Sequence, residues 1–297
     1  MLLFIFGVAR AFMNPASSSL IPNLVPPEDL AGAVALSSSS WQIANIVGPA
    51  VGGLLYGVSP TLAYGVAFVL FVVASLAISF VPRPPQKAMS EPRTWSTLLA
   101  GFRFVWREKV VLGAISLDLF AVLLGGATAL LPAYVRDILA VGPWGLGILR
   151  SAMGIGAIVM AGYLTFRPIR DRAGVLMFLA VALFGAFIVV FGLSRAVWLS
   201  ALALALAGAA DMVSVYIRET LIQLWTPDAV RGRVNAVNNV FIGASNELGE
   251  FRAGSMAALI GVVPAVVVGG IGTLIIAGLW AYWFPDIRRV RHLRGRD

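Results

Sequence analysis

The chain has 297 residues, of which 12% are charged and 59% hydrophobic; its mean hydropathy is +0.90 and its net charge +8. A soluble domain of ordinary make-up is about one quarter charged, so a water-soluble globular protein is excluded. The absence of cysteine excludes disulfides, thiolate catalysis and Cys-ligated metals, and the single histidine, His292, sits in an Arg-rich tail where solvation is the expected state.

Taken in chain order, apolar runs broken by Pro, Gly and charge predict nine membrane-spanning helices at 2–22, 37–57, 60–81, 110–134, 143–166, 174–193, 196–224, 235–259 and 262–284. Helices are favoured because they satisfy every backbone group within the segment, as hydrocarbon demands. The fold class is therefore all-α, a polytopic membrane protein. The run 82–109 breaks the pattern: Pro82, Pro84 and Pro85 cannot continue a helix, and Trp95 to Lys109 reads as an amphipathic helix on the membrane surface. The expected organisation is three spans over 1–81, a cytoplasmic linker over 82–109, six spans over 110–284 and a basic tail over 285–297.

Sixteen Lys and Arg fall on one side of this span pattern, in the linker, at Arg167, Arg170 and Arg172, at Arg231 and Arg233, and in the tail. Only Arg136 and Arg195 fall on the other. By the positive-inside rule the linker and the C-terminus are cytoplasmic, and the basic excess needs no nucleic-acid partner. An odd span count then puts the N-terminus outside, with no cleavable leader evident.

A faint internal repeat is the most informative feature. Leu24 to Val34, which contains Pro27, Glu28, Gly32 and Val34, resembles Leu224 to Val234, which contains Pro227, Asp228, Gly232 and Val234; Gly57 to Pro60 likewise resembles Gly261 to Pro264. A period near 200 residues holds about six spans, and parallel six-helix halves are a transporter architecture. Here only three spans precede the linker and six follow it.

The ordered motifs carry a family resemblance. Gly48-Pro49-Ala50-Val51-Gly52-Gly53 resembles the Gly-Pro-x-x-Gly-Gly signature of helix five of the major facilitator superfamily, and Asp171-Arg172-Ala173-Gly174 resembles the second-half remnant of its Asp-Arg-x-Gly loop. The stretch from Asp118 to Asp137 is similar to helix seven of the branch containing the enterobactin exporters, and Asn246 to Arg252 to its helix eleven. The resemblance maps the chain onto helices four to twelve of a twelve-helix transporter, without helices one to three. It implies proton-coupled export of a small amphipathic molecule, drug-like or siderophore-like, across the cytoplasmic membrane, by a monomer if the transporter is complete. The alternative is a truncated, transport-inactive fragment. No phosphate-binding Gly-rich motif or catalytic His cluster is present, and neither cofactor nor enzymatic activity is expected.

Ionisable groups at membrane depth are default functional candidates. They are Arg10, Asp118, Asp211, Arg218, Glu219, Glu247, Glu250 and Arg252, joined by the amides Asn14, Asn239 and Asn246. Arg10 and Asn14 share a helical face, as do Asp211 and Arg218, and Asn239, Asn246 and Glu250 form a polar stripe on one helix. A desolvated carboxylate there can carry a proton, with Asp118 and Glu250 the leading carriers. Alternatively, Arg218 and Arg252 neutralise Glu219, Glu247 or Glu250 and hold helices in register. Gly48, Pro49, Gly52 and Gly53 read either as a hinge or as a close-packing face. Asp171, Arg172 and Gly174 read as a cytoplasmic gate latch or as a charged turn that fixes topology.

Overall fold

The computed structural model describes residues 51–81, 95–169 and 171–290, together with the isolated positions 24, 33, 40, 44, 47 and 48. Residues 51–58 are helical; Ser59 is extended, and Pro60, whose missing N–H costs nothing in a first turn, opens α1 (Pro60–Ser79). No residue of α1 is buried, and Phe68, Leu70 and Phe71 stand on its open surface. A helix apolar on every side suits lipid or another lobe.

Helix α2 (Trp95–Arg107) is amphipathic and lies against the start of α8, where the absence of a side chain at Gly101 admits the Arg233 carbonyl. After the extended Glu108, α3 (Lys109–Gly125) leads through a one-turn 3-10 segment (Thr128–Leu130) into α4 (Leu131–Asp137). The bundle continues with α5 (Pro143–Phe166), α6 (Ala173–Leu193), α7 (Val197–Trp225), α8 (Asp228–Ile260), α9 (Val262–Trp283) and the short α10 (Pro285–Arg289).

Among the described residues, six stretches are long and apolar enough to cross a membrane: Pro60–Ser79, Lys109–Asp137, Pro143–Phe166, Ala173–Leu193, Val197–Trp225 and Val262–Trp283. Of the nine expected spans, 2–22 lies outside the described residues and 37–57 largely so. The span expected at 235–259 is helical, but its amides and charges keep it out of the apolar set. Helix α8 nevertheless runs the length of the bundle: α7 ends at the basic end, whereas the first turns of α9 pack in the core of the opposite end. Its 33 residues reach about 50 Å, ample for that distance.

Small residues let these helices meet. Gly156 of α5 faces the Ala205 carbonyl of α7, and Gly208 of α7 faces the Met153 carbonyl of α5; Gly185 and Gly270 do the same for α6 and α9. Lipid offers no hydrophobic drive for helix association, so such backbone proximity is what dispersion can exploit. Two apolar clusters stack along the bundle: one at the far end around Tyr134, Leu149, Phe191 and Leu204, the other at the basic end around Leu117, Met177, Leu221 and Ile287. Two large polar side chains are served within them. The Tyr134 hydroxyl lies 2.9 Å from the carbonyl of Phe191, 3.2 Å from that of Gly192 and 2.5 Å from that of Ser194, capping the end of α6. Trp280 donates to Ser116 Oγ at 2.9 Å.

Candidate functional site

Nine residues into α3, about 14 Å from its start, Asp118 meets Arg218 of α7, which lies about 11 Å from the Trp225 end. Arg218 Nη1 contacts Asp118 Oδ1, with side chains only 5% and 12% exposed. The neighbouring Glu219 lies 3.7 Å from Arg218 Nε and accepts a 3.0 Å hydrogen bond from Asn238 Nδ2 of α8. Asp211, two turns before Arg218 on α7, has no hydrogen bond among the described residues but lies within electrostatic reach of both Asp118 and Arg218. Three helices thus converge on one arginine and three carboxylates. Asn238 joins this group although only its neighbour Asn239 falls on the stripe read from sequence.

Arg252 takes a different partner from the one expected. No carboxylate pairs with it among the described residues; its Nε donates to the Leu123 carbonyl at 2.8 Å and its Nη2 to the Leu124 carbonyl at 2.5 Å. Arg218 for its part pairs chiefly with Asp118 rather than with Glu219. The physical reason is a break in the expected 110–134 span. Helix α3 ends at Gly125 and Gly126 is extended, so the carbonyls of the last turn have lost the donors that a continuing helix would supply.

Glu247 and Glu250 are exposed and have no hydrogen-bond or ion-pair partner among the described residues. Asn239 and Asn246 are exposed on the same side of α8, and the Asn246 amide turns back onto the Ile242 carbonyl at 2.9 Å. Arg150, exposed near the start of α5, also lacks a described partner; it lies within an apolar span and was absent from the sequence candidates. Its place is informative. It is one turn beyond Gly147, whose backbone lies 3.0 Å from where a Cβ of Gly53 would sit. Gly53 of the Gly-Pro-x-x-Gly-Gly motif is therefore a close-packing residue between the segment 51–58 and α5, whereas Gly48 and Gly52 have open space beside them. Pro49, Arg10 and Asn14 lie outside the described residues.

At the basic end, Asp171 and Arg172 are exposed; the Arg172 N–H donates to Asp171 Oδ1 at 2.9 Å and their side chains come no closer than 3.9 Å. Arg172 adopts the left-handed conformation, φ 56°, at the entry to α6. Gly174 packs directly under the Ile287 carbonyl, and its N–H donates to the Val290 carbonyl at 3.1 Å. The turn thus holds the C-terminal segment, whose Ile287 also fills the space beside Gly113.

Among solved structures, a bacterial homologue of the human lysosomal transporter Spinster, in an inward-facing and occupied conformation, matches with a TM-score of 0.66 and 14% identity over 92% of this chain and 74% of that one. The same homologue in its unoccupied conformation gives 0.63. At that identity the likeness speaks for the fold alone. By sequence, the enterobactin exporter EntS of Escherichia coli O1:K1 / APEC is 29% identical over 275 residues, as is that of Shigella boydii serotype 18. The match covers 91% of this chain, which spans 65% of the length of these relatives. The profile of the family described as transmembrane secretion effector matches residues 1–291. With a multi-pass helical bundle of this fold, the chain belongs to that family, in the enterobactin-exporter branch of the major facilitator superfamily.

Proposed function

We propose that the chain acts in efflux, moving a small amphipathic molecule, drug-like or siderophore-like, outward across the cytoplasmic membrane by alternating access coupled to protons. It does so as a monomer, with the basic end and C-terminus in the cytoplasm. The observation that carries this reading is the cluster of Asp118 and Asp211 about the buried Arg218. Glu219, the third carboxylate beside Arg218, is 40% exposed and open to solvent; the other two carboxylates, when ionised, outnumber the single guanidinium by one charge, and one proton balances them. Asp118 keeps its pairing with Arg218, and Asp211, without a hydrogen bond, is the natural acceptor. Uptake on one side and release on the other then bias which way the lobes rock.

The exposed polar stripe of Asn239, Asn246, Glu247 and Glu250 on α8 supports a substrate path along this side of the bundle. A charge at membrane depth belongs next to another lobe, a ligand or water rather than lipid. Asp171 and Arg172, exposed at the basic end, serve as a latch that engages the other lobe in one rocking state. Gly53 against Gly147 lets the two lobes slide at close range.

The test is accumulation of a substrate panel that includes enterobactin, in cells expressing the chain, with and without an uncoupler. Asp118→Asn and Asp211→Asn are each expected to abolish uncoupler-sensitive efflux at unchanged expression. Undiminished efflux by both variants removes this cluster from coupling.

A further inference from the structure

The carbonyls at the end of α3 pose a problem that hydrocarbon makes acute. An α-helix leaves its last four carbonyls without intrahelical donors, and at membrane depth no water takes their place. Here the chain does not continue the helix: Gly126, at φ −61° and ψ 90°, turns out of it, its N–H donating to the Val122 carbonyl at 3.0 Å. Leu123 and Leu124 are then served by one side chain, the Arg252 guanidinium, through Nε and Nη2. Thr273 of α9 donates to the Ala121 carbonyl at 3.2 Å. Room for this exists because Gly249, one turn before Arg252, and Gly269 of α9 place no side chain against the Val122 and Leu124 carbonyls.

On the other side of the break, α4 is fastened elsewhere. Its Tyr134 hydroxyl binds the carbonyls that close α6, and its ring packs at a tilt against that of Phe191, centroids 4.5 Å apart. One span is therefore tied at two points to different parts of the lobe, α3 to α8 and α9, and α4 to α6. Any relative displacement of those parts falls on the residues between the ties, Gly126 and Ala127.

We infer that Arg252 is the positioning residue of a hinge within the α3–α4 span: its guanidinium stands in for the missing next turn of α3 and fixes where the span bends. A guanidinium suits the task because its planar fork reaches two successive carbonyls, while its positive charge meets the negative end of the α3 dipole. Arg252 is accordingly committed to the backbone and contributes neither a counter-charge for Glu250 nor a substrate contact. The inference refines the transport reading but does not need it, because the hinge is a property of the helix itself.

Backbone hydrogen exchange of the full chain in nanodiscs tests it, since the readout needs no substrate. In Arg252→Gln, exchange over residues 122–130 is expected to rise at least about tenfold, the loss of two charge-assisted bonds, with exchange over α6 unchanged. Arg252→Lys, which keeps the charge but reaches one carbonyl, is expected to fall between. Unchanged exchange at the break in Arg252→Gln overturns the inference, and so does a rise of equal size across every helix. Should Arg252→Gln fail to fold, Arg252→Lys alone decides: local loss of protection at 122–130 supports the hinge, and wild-type protection there rejects it. In cells, Arg252→Lys is expected to lower maximal efflux rate without changing the half-saturating substrate concentration. If the wild type shows no uncoupler-sensitive efflux while the exchange result holds, the transport reading fails and the hinge stands.

Discussion

Asn238 on α8 donates to Glu219 on α7 at 3.0 Å, so the buried Asp118–Arg218 pair between α3 and α7 is joined at its edge to a third helix. Register among the three helices is set by polar contacts rather than by shape alone. That makes the pair a site where single and double substitutions are expected to diverge.

Arg218→Met leaves Asp118 buried without a counter-charge and is expected to destabilise the bundle by about 3–5 kcal/mol. Removing both charges together, as Asp118→Leu with Arg218→Met, is expected to recover most of that loss. Thermal unfolding of the purified chain in detergent measures the difference. Equal destabilisation by the single and the double variant contradicts the pairing.

Glycine substitutions separate packing from propensity. In an open helical position Ala is favoured over Gly by roughly 0.5–1 kcal/mol, so Gly162→Ala, with open space beside it, is expected to raise the unfolding midpoint slightly. Gly156→Ala drives a methyl into the Ala205 carbonyl and is expected to cost about 1–3 kcal/mol. The same unfolding measurement decides, and opposite signs are the expected outcome.

The basic end gives a proteolytic prediction. Gly174→Val pushes against the Ile287 carbonyl and displaces the strand of chain that carries Arg288 and Arg289. Limited trypsin treatment is expected to cleave after these arginines several-fold faster in the variant, with the rest of the bundle intact. Equal cleavage rates dismiss the clasp.

Orientation is accessible because the chain has no cysteine, so any introduced thiol is unique. In intact cells, a membrane-impermeant maleimide is expected to label Arg195→Cys and Arg136→Cys, and to label Asp171→Cys and Gly232→Cys only after permeabilisation. Labelling of the second pair in intact cells reverses the proposed topology.

The helices were legible because apolar runs of about 20 residues have few alternatives in a chain with so little charge. Spans such as 143–166 and 174–193 differ from the structural helices by at most a residue at each end. The break at Gly125–Gly126 was not legible, since glycine in an apolar run reads equally as a packing face. Candidate charges were found by depth, and their pairing was not. Periodicity relates neighbours on one helix, while Asp118 and Arg218 come together only through the fold. The partners of Arg252 were not legible for a further reason: they are backbone carbonyls, which every residue carries and no sequence pattern marks. Arg150 was passed over inside a span counted as apolar.

Gly113 and Gly174, which form one recess, are synthesised before Ile287, which occupies it and emerges only after α9. During synthesis that recess stands vacant, a greasy notch open to lipid tails or to the insertion machinery. Sealing of the lobe therefore waits until α9 has been made, and a premature stop before Ile287 leaves the floor of the bundle unplugged.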